Sequence, residues 1–367
     1  MSQTILLVGA SVRAAAASAL RAGFTPWCVD LFADADLTRA CSSRAAPLNS
    51  YPQSLFEALA TGPPGPWMYT GGLENYPEKF AGTSRELWGN DANVVRRVRD
   101  PRALVDLDGP RLGEFPACLV KPRRGSGGLG IRPWHGEPVT SDEFLQEWIP
   151  GQPAAAVYVG IAGRALCLGA TRQLVGCDWL HAPSAFQYAG SIGPIFGLHR
   201  RLNGLGQTLV DRFGLRGIFG VDLILEGERV RPIEVNPRYP ASFEILERAH
   251  GRAMFAGHAR AFSGSRGGDP WDSEFLIPAL ESGRCHGKAI YYAPRDFVVP
   301  RAGPWSEALA GEFASLDVAF ADIPRAGQLI TRGEPVVTFF ASGETIEACE
   351  TDLRKIANDL DRVVDVG

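Results

Sequence analysis

Residues 217–238 read GIFGVDLILEGERVRPIEVNPR, and the fold of the chain turns on how this stretch pairs with itself. β-Branched and aliphatic residues dominate two runs, Ile218 to Leu225 and Val230 to Asn236, with a short Gly-containing turn between them. Strand side chains alternate faces, so Glu234 and Asn236 share one face. A turn made of Gly227, Glu228 and Arg229 sets Asp222 directly opposite Glu234. Carboxylates facing each other across a sheet repel unless a cation lies between them. With the Asn236 oxygen beside them they make an all-oxygen set of the kind that hard Mg²⁺ prefers. The same residues also fit a plain solvated edge hairpin. Read in isolation, the pair predicts that Glu234→Gln leaves the ligand-free protein as stable as before or slightly more so.

A second feature lies upstream, in Leu119-Val120-Lys121-Pro122-Arg123-Arg124-Gly125-Ser126-Gly127-Gly128-Leu129-Gly130-Ile131. An apolar strand delivers one Lys, and a run of glycines follows at once. Glycines let backbone N–H groups crowd an anion, and the Lys adds a mobile positive charge. The Lys precedes the glycines, so this is not a Walker loop. Glycine loop and acidic cluster together can hold a nucleoside triphosphate and its metal.

On these residues the chain resembles the ATP-grasp superfamily of carboxylate–amine and carboxylate–thiol ligases and their carboxylase relatives. The pattern runs through Lys121-Pro122 with its loop, Gln146-Glu147-Trp148-Ile149-Pro150-Gly151, Gly217 to Asp222, and Ile233-Glu234-Val235-Asn236-Pro237-Arg238. It covers residues 80–262 well and both ends more loosely. The resemblance implies an α/β and α+β fold in three parts. A Rossmann-like front domain spans 1–78, a two-subdomain ATP-grasp fold spans 79–262, and a small β-rich C-terminal part spans 263–367. It also implies ATP and Mg²⁺ as cofactors. Lys121, Gly125, Ser126, Gly127 and Gly128 would hold phosphates, and Glu147, Trp148 and Ile149 would take adenine on a hinge strand. Asp222, Glu234 and Asn236 would hold one or two Mg²⁺, and Arg238, with Arg216 as the weaker candidate, would stabilise the transferring phosphoryl group. Family members usually carry a second phosphate-binding Lys some forty residues before the loop. Here only Lys79 or the arginines Arg96, Arg97 and Arg99 are available, and Gln152-Pro153 stands where a ribose-binding Glu is usual.

Composition narrows the field. The chain has 367 residues, a net charge of −4 and no polybasic tract, which argues against nucleic-acid or membrane-surface partners. Seven scattered cysteines without a C-x-x-C pair argue against a disulfide framework or a zinc site, and the expected compartment is the cytoplasm. The start, MSQTILLVGA, lacks a signal peptide's basic flank, and no apolar run is long enough to span a bilayer. Six histidines show no metal-ligand spacing, and no G-x-S-x-G elbow occurs.

At the front, Thr4 to Val8, a Gly9-Ala10-Ser11 turn, an Ala-rich helix to about Ala22, and Phe24 to Leu31 with its Asp30 form a βαβ unit. The turn lacks the later glycines of a dinucleotide fingerprint, which argues against NAD. Ser11 and Arg13 are then substrate candidates. Further helices are expected at Gln53 to Ala60, Ser84 to Val98, from Ser141, at Leu202 to Phe213, and from Ser242 to Gly251. Strands are expected at Ala156 to Ile161 and Ala165 to Gln173, and a cleft-lining loop at Ala182 to Gly197, with Arg172, Gln173 and Tyr188 facing the acceptor. A linker at Phe262 to Pro270 precedes short strands and a final helix from about Thr345 to Val363.

The resemblance implies an ATP-dependent carboxylate–amine ligase acting through an acylphosphate on small-molecule carboxylate and amine substrates, and it is compatible with a homodimer. Proteins of this kind also occur in the biosynthesis of pterin- or furan-type one-carbon carriers. Two other readings are a carboxylase using bicarbonate, whose base would be Glu244 two residues out of register, and a non-catalytic nucleotide sensor.

Overall fold

The computed structural model describes residues 2–263, 280 and 282–366. The front of the chain runs β1 (Thr4–Val8), α1 (Arg13–Arg21), β2 (Thr25–Asp30), α2 (Ala35–Ala40), β3 (Ser42–Ala45), α3 (Gln53–Ala60), β4 (Trp67–Tyr69) and α4 (Ala92–Val98). Its strands form a parallel sheet in the order β3-β2-β1-β4. The next segment, β5 (Cys118–Pro122), β6 (Arg132–Pro133) and β7 (Glu143–Glu147), makes a small antiparallel sheet ordered β6-β5-β7. The rest comprises β8 (Gln152–Ile161), β9 (Arg164–Val175), β10 (Tyr188–Gly193), α5 (His199–Phe213), β11 (Gly217–Glu226), β12 (Arg229–Asn236), α6 (Phe243–His250) and α7 (Phe255–Phe262). After it come β13 (Cys285–Tyr292), β14 (Phe297–Val298), α8 (Ser306–Ala310), β15 (Phe320–Ala321), β16 (Leu329–Ile330), β17 (Pro335–Gly343) and α9 (Ile346–Val366). Eight of these strands form one sheet, ordered β12-β11-β8-β9-β10-β13-β17-β15. This is the mixed α/β architecture expected from the sequence, with a Rossmann-like parallel sheet in front.

Asp222 pairs with Glu234 as expected, by a different route. The pairing closes at Glu226 opposite Arg229, so the turn holds only Gly227 and Glu228. The residue missing from the turn reappears as a bulge, where Asp222 and Leu223 face Glu234 and Pro232. Pro232 has no N–H to give the ladder, and a bulge at a proline restores the register.

Three local expectations give way to tertiary pairing. The segment from Ser141 is a strand: Phe144 and Leu145 lie opposite Lys121 and Val120 in β5. The helix expected from Ser84 starts only at Ala92, where the Asp91 carboxylate caps the amides of Asn93 and Val94. Ahead of it, Leu87 bridges to Trp67 at the edge of the front sheet. The expected loop Ala182 to Gly197 contains β10, which sits between β9 and β13. Its glycines allow this crowding, since a Cβ on Gly190 would stand 2.2 Å from the Lys288 carbonyl oxygen. Strands β13, β17 and β15 thus prolong the sheet of β8–β12. Residues 264–270 of the expected linker lie outside the described residues.

The front sheet is held on by the Ala-rich helix α1. Ala15, Ala16 and Ala19 are buried against Val157 and Val159 of β8, Ile218 of β11, and Phe243, Leu246 and Phe255. Small side chains let α1 approach closely, and each fully buried Phe or Leu stabilises by about 1.5–3 kcal/mol. Asp30, at the end of the βαβ unit, accepts the Ala33 and Val12 amides at 2.7 and 3.4 Å. No helix among the described residues is long and apolar enough to cross a membrane.

Candidate functional site

The hairpin, the Lys121 strand and the segments that follow β4 and α4 bring six charged side chains together. Glu234 receives Lys121 Nζ at 3.6 Å and a hydrogen bond from the Arg99 guanidinium. Asp222 accepts Asn236 Nδ2 at 3.0 Å and Gln173 Nε2 at 2.9 Å. Arg238 donates from Nη2 to Asn236 Oδ1 at 3.1 Å and from Nε to Glu74 Oε1 at 3.0 Å. Burial pushes the Asp222 carboxyl up to about 6, helped by the Glu234 charge across the hairpin. Burial would raise Glu234 too, but Arg99 and Lys121 outweigh it and hold it below the usual carboxylate range. The cations that opposed carboxylates require are therefore supplied by the protein.

Two carboxylates on one sheet face suit a hard dication that takes its remaining oxygens from phosphate and water. Among the described residues no third His, Cys, Asp or Glu joins them as a ligand. Asn236 turns its nitrogen to Asp222 and its oxygen to Arg238, so it would serve a shared cation only after its amide rotates.

The glycine loop lies against this cluster. Arg99 Nη2 and Asn75 Nδ2 both donate to the Gly125 carbonyl, each at 3.3 Å. The Tyr188 amide donates to the Gly127 carbonyl at 2.9 Å. Gly128 has φ +84°, and a Cβ there would meet the Phe186 carbonyl oxygen at 1.7 Å, so only glycine fits. Ser126 is exposed at the loop tip. In the hinge, Glu147 turns its carboxylate to Arg111, whose hydrogen bonds hold it down at about 2. The Glu147 and Trp148 amides already donate to the carbonyls of Arg111 and Ala117. Trp148 stays 46 % exposed, edge-on to Phe186, and Ile149 is buried.

Other candidates fall elsewhere. Arg216 reaches the Ala261 carbonyl at the end of α7 and stacks on Phe262, away from the cluster. Arg172 alternates away from Gln173 and pairs with Glu350 of α9. Lys79 bonds Gln53 at the surface, Arg97 bonds the Arg212 carbonyl, and Arg96 is exposed. Of the possible replacements for the second phosphate Lys, Arg99 is the one inside. Ser11 is exposed and does not cap α1, whose N-cap is Val12. Arg13 is buried, bonded to Asp36 and Glu244 at 2.8 Å each.

Glu74, Asn75, Ser191 and Lys288 join these contacts without belonging to a motif in the sequence. The first two sit in GGLENYP directly after β4, where an Asn and an acid follow two glycines. The others belong to a polar row that strand register creates. Asp222 is bonded to Gln173, Gln173 pairs with Ser191, and Ser191 pairs with Lys288. Tyr188 joins the row, its hydroxyl 2.9 Å from Ser191 Oγ. Lys288 Nζ meets Glu244 Oε2 at 3.2 Å. Burial would raise Glu244, yet Lys288 and Arg13 hold it down at about 2. The folded carboxyl thus binds its proton less tightly than the unfolded one. Its stabilisation is present above pH about 4.5 and is lost as pH falls towards about 2. Glu244→Gln is expected to cost about 3–5 kcal/mol at pH 7, by taking the buried Lys288 ammonium's carboxylate partner and leaving Arg13 with Asp36 alone, and to flatten the acid limb of stability. Denaturant melts at neutral and acid pH check both.

Residues 110–242 match the ATP-grasp domain family. An uncharacterized protein of Methanocaldococcus jannaschii is 23% identical over 237 residues, 63% of this chain and 52% of that protein. The chain thus spans about half the length of that curated relative. The L-amino acid ligase of Bacillus licheniformis superposes with a TM-score of 0.66 at 14% identity, over 98% of each chain. The biotin carboxylase domain dimer of Hydrogenobacter thermophilus 2-oxoglutarate carboxylase, solved with MgADP, ADP and bicarbonate, gives 0.66 at 13% identity over 97% of this chain and 89% of that one. At these identities the likeness is one of fold.

Proposed function

We propose that this chain, which carries an ATP-grasp domain at residues 110–242, is an ATP-dependent ligase joining a small-molecule carboxylate to an amine. The observation that carries the reading is Asp222 opposite Glu234, with Lys121, Arg99 and Arg238 around them. That set positions and neutralises a triphosphate, which is most of what phosphoryl transfer asks of a protein. Mg²⁺ held by Asp222 and Glu234 would neutralise charge on the phosphate oxygens. Lys121, Arg99 and the amides of Ser126 to Gly128 would hold the phosphates in line with the incoming carboxylate. Arg238, fixed by Glu74, would meet the charge that develops as the acylphosphate forms. The amine then displaces phosphate and the amide is released. With the Glu147 and Trp148 amides occupied, the adenine edge would fall to Ile149 and the hinge carbonyls.

Carboxylation with Glu244 as base is the weaker reading. A carboxylate held at about 2 by Lys288 and Arg13 is a poor proton acceptor. The test is product analysis over panels of carboxylates and amines. ADP and phosphate are expected, released only when both substrates are present. AMP and pyrophosphate would point to an adenylating enzyme, and bicarbonate-dependent ADP release without a carboxylate substrate would favour a carboxylase.

A further inference from the structure

Arg99 binds three parts of the site at once. Its guanidinium bonds the Glu234 carboxylate, and Nη2 donates to Asn75 Oδ1 at 3.0 Å and to the Gly125 carbonyl at 3.3 Å. A would-be metal ligand, a front-domain loop and the phosphate loop therefore share one cation, whose side chain is 15 % exposed.

The charges around it already balance. Arg99, Lys121 and Arg238 stand against Glu74, Asp222 and Glu234, linked by the contacts described above. A divalent ion entering alone would leave a largely buried group doubly positive, which is costly where solvent screens poorly. An ion entering with a nucleotide brings its own counter-charge. The planar fork that grips Glu234 also suits phosphate oxygens.

We propose that Arg99 and a divalent cation compete for the Glu234 carboxylate, so that the cation is admitted only with a nucleotide, whose phosphates take over the guanidinium. The proposal rests on the nucleotide reading of the site. Because Arg99 also bonds Gly125, the exchange that admits the metal removes one of the two hydrogen bonds on that carbonyl, leaving the one from Asn75. Arg99 is a gatekeeper for the metal as well as a phosphate cation.

The experiment measures protein-bound Mn²⁺ at pH 8 by water-proton relaxation enhancement, with and without a non-hydrolysable ATP analogue, each reading referred to the same Mn²⁺ and analogue without protein. Wild type should bind Mn²⁺ weakly alone and at least tenfold more tightly with the analogue, the two ligands helping each other equally. Arg99→Gln should bind Mn²⁺ alone at least tenfold more tightly than wild type, and the analogue should add little. Arg99→Lys, which keeps the charge, should still exclude the lone ion. A merely structural arginine would give no such gain. Equal Mn²⁺ affinity of wild type with and without bound analogue overturns the proposal, even if Arg99→Gln does not fold. So does an Arg99→Gln that melts normally and treats Mn²⁺ as wild type does. Failure of wild type to bind the analogue at all would remove the nucleotide reading, and the proposal with it.

Discussion

Glu234→Gln is expected to abolish Mg²⁺·ATP-dependent stabilisation and turnover, and to lower the melting temperature of the ligand-free protein. The first effect follows from chemistry, since an amide is a poor ligand for a hard dication and cannot offset phosphate-binding cations. The second reverses what the hairpin alone implies. Two opposed carboxylates repel by roughly 0.2–1 kcal/mol, and removing one charge would relieve that. In the folded chain, however, Glu234 is the counterion of Arg99 and Lys121. Leaving such cations without a partner costs about 1–3 kcal/mol, which exceeds the relief. Melts of both proteins, each with and without Mg²⁺·ATP, read the two effects separately. Normal nucleotide stabilisation in the variant would remove Glu234 from the site, and an unchanged or higher melt without ligand would mean that its ion pairs carry no weight.

Arg238→Gln should behave differently, with nucleotide binding largely kept and kcat reduced about 10²–10³-fold, the usual loss of one donor aimed at developing charge. Its guanidinium is held from two sides, by Glu74 Oε1 and Asn236 Oδ1. A group fixed in this way need not reorganise as charge appears. The check is ADP release at saturating substrates beside a thermal shift with Mg²⁺·ATP. A kcat within a few-fold of wild type would exclude the role, and a lost thermal shift would make Arg238 a ground-state ligand instead.

The parts of this protein that could be read from its sequence are those whose chemistry is local. Gly163 and Gly214, both in left-handed conformation, mark the end of a strand and of a helix where expected. Lys121 with its glycines and Asp222 with Glu234 also declare themselves, because spacing along one strand or across one turn suffices. What escaped is set by partners distant in the chain. Glu143 to Glu147 has a composition that suits a helix, and it is a strand because β5 pairs with it. Tyr188 to Gly193 looks like a loop for its glycines, yet those glycines let β9 and β13 crowd it from both sides. Arg99 could not be told from Arg96 and Arg97 by position, since only the fold decides which of three neighbours reaches Glu234. Arg216 failed for the same reason, its side chain being claimed by the end of α7.

The place of β10 bears on how this chain could be cut. β10 is flanked by β9, before it in the chain, and by β13, beyond the segment around residue 270. A gene fragment ending near residue 263 would contain the glycine loop and the Asp222–Glu234 hairpin but leave one rim of β10 bare. A bare strand rim recruits other chains, so such a fragment would be prone to self-association. The complementary piece, residues 282–366, carries the missing strand together with β17 and α9, which pack on it. The two pieces meet along the β10–β13 ladder and through side-chain contacts that include Lys288 with Glu244 and Arg172 with Glu350. The chain therefore offers a natural two-part reporter, in which the Lys288–Glu244 ion pair and a completed sheet form only when both halves are present.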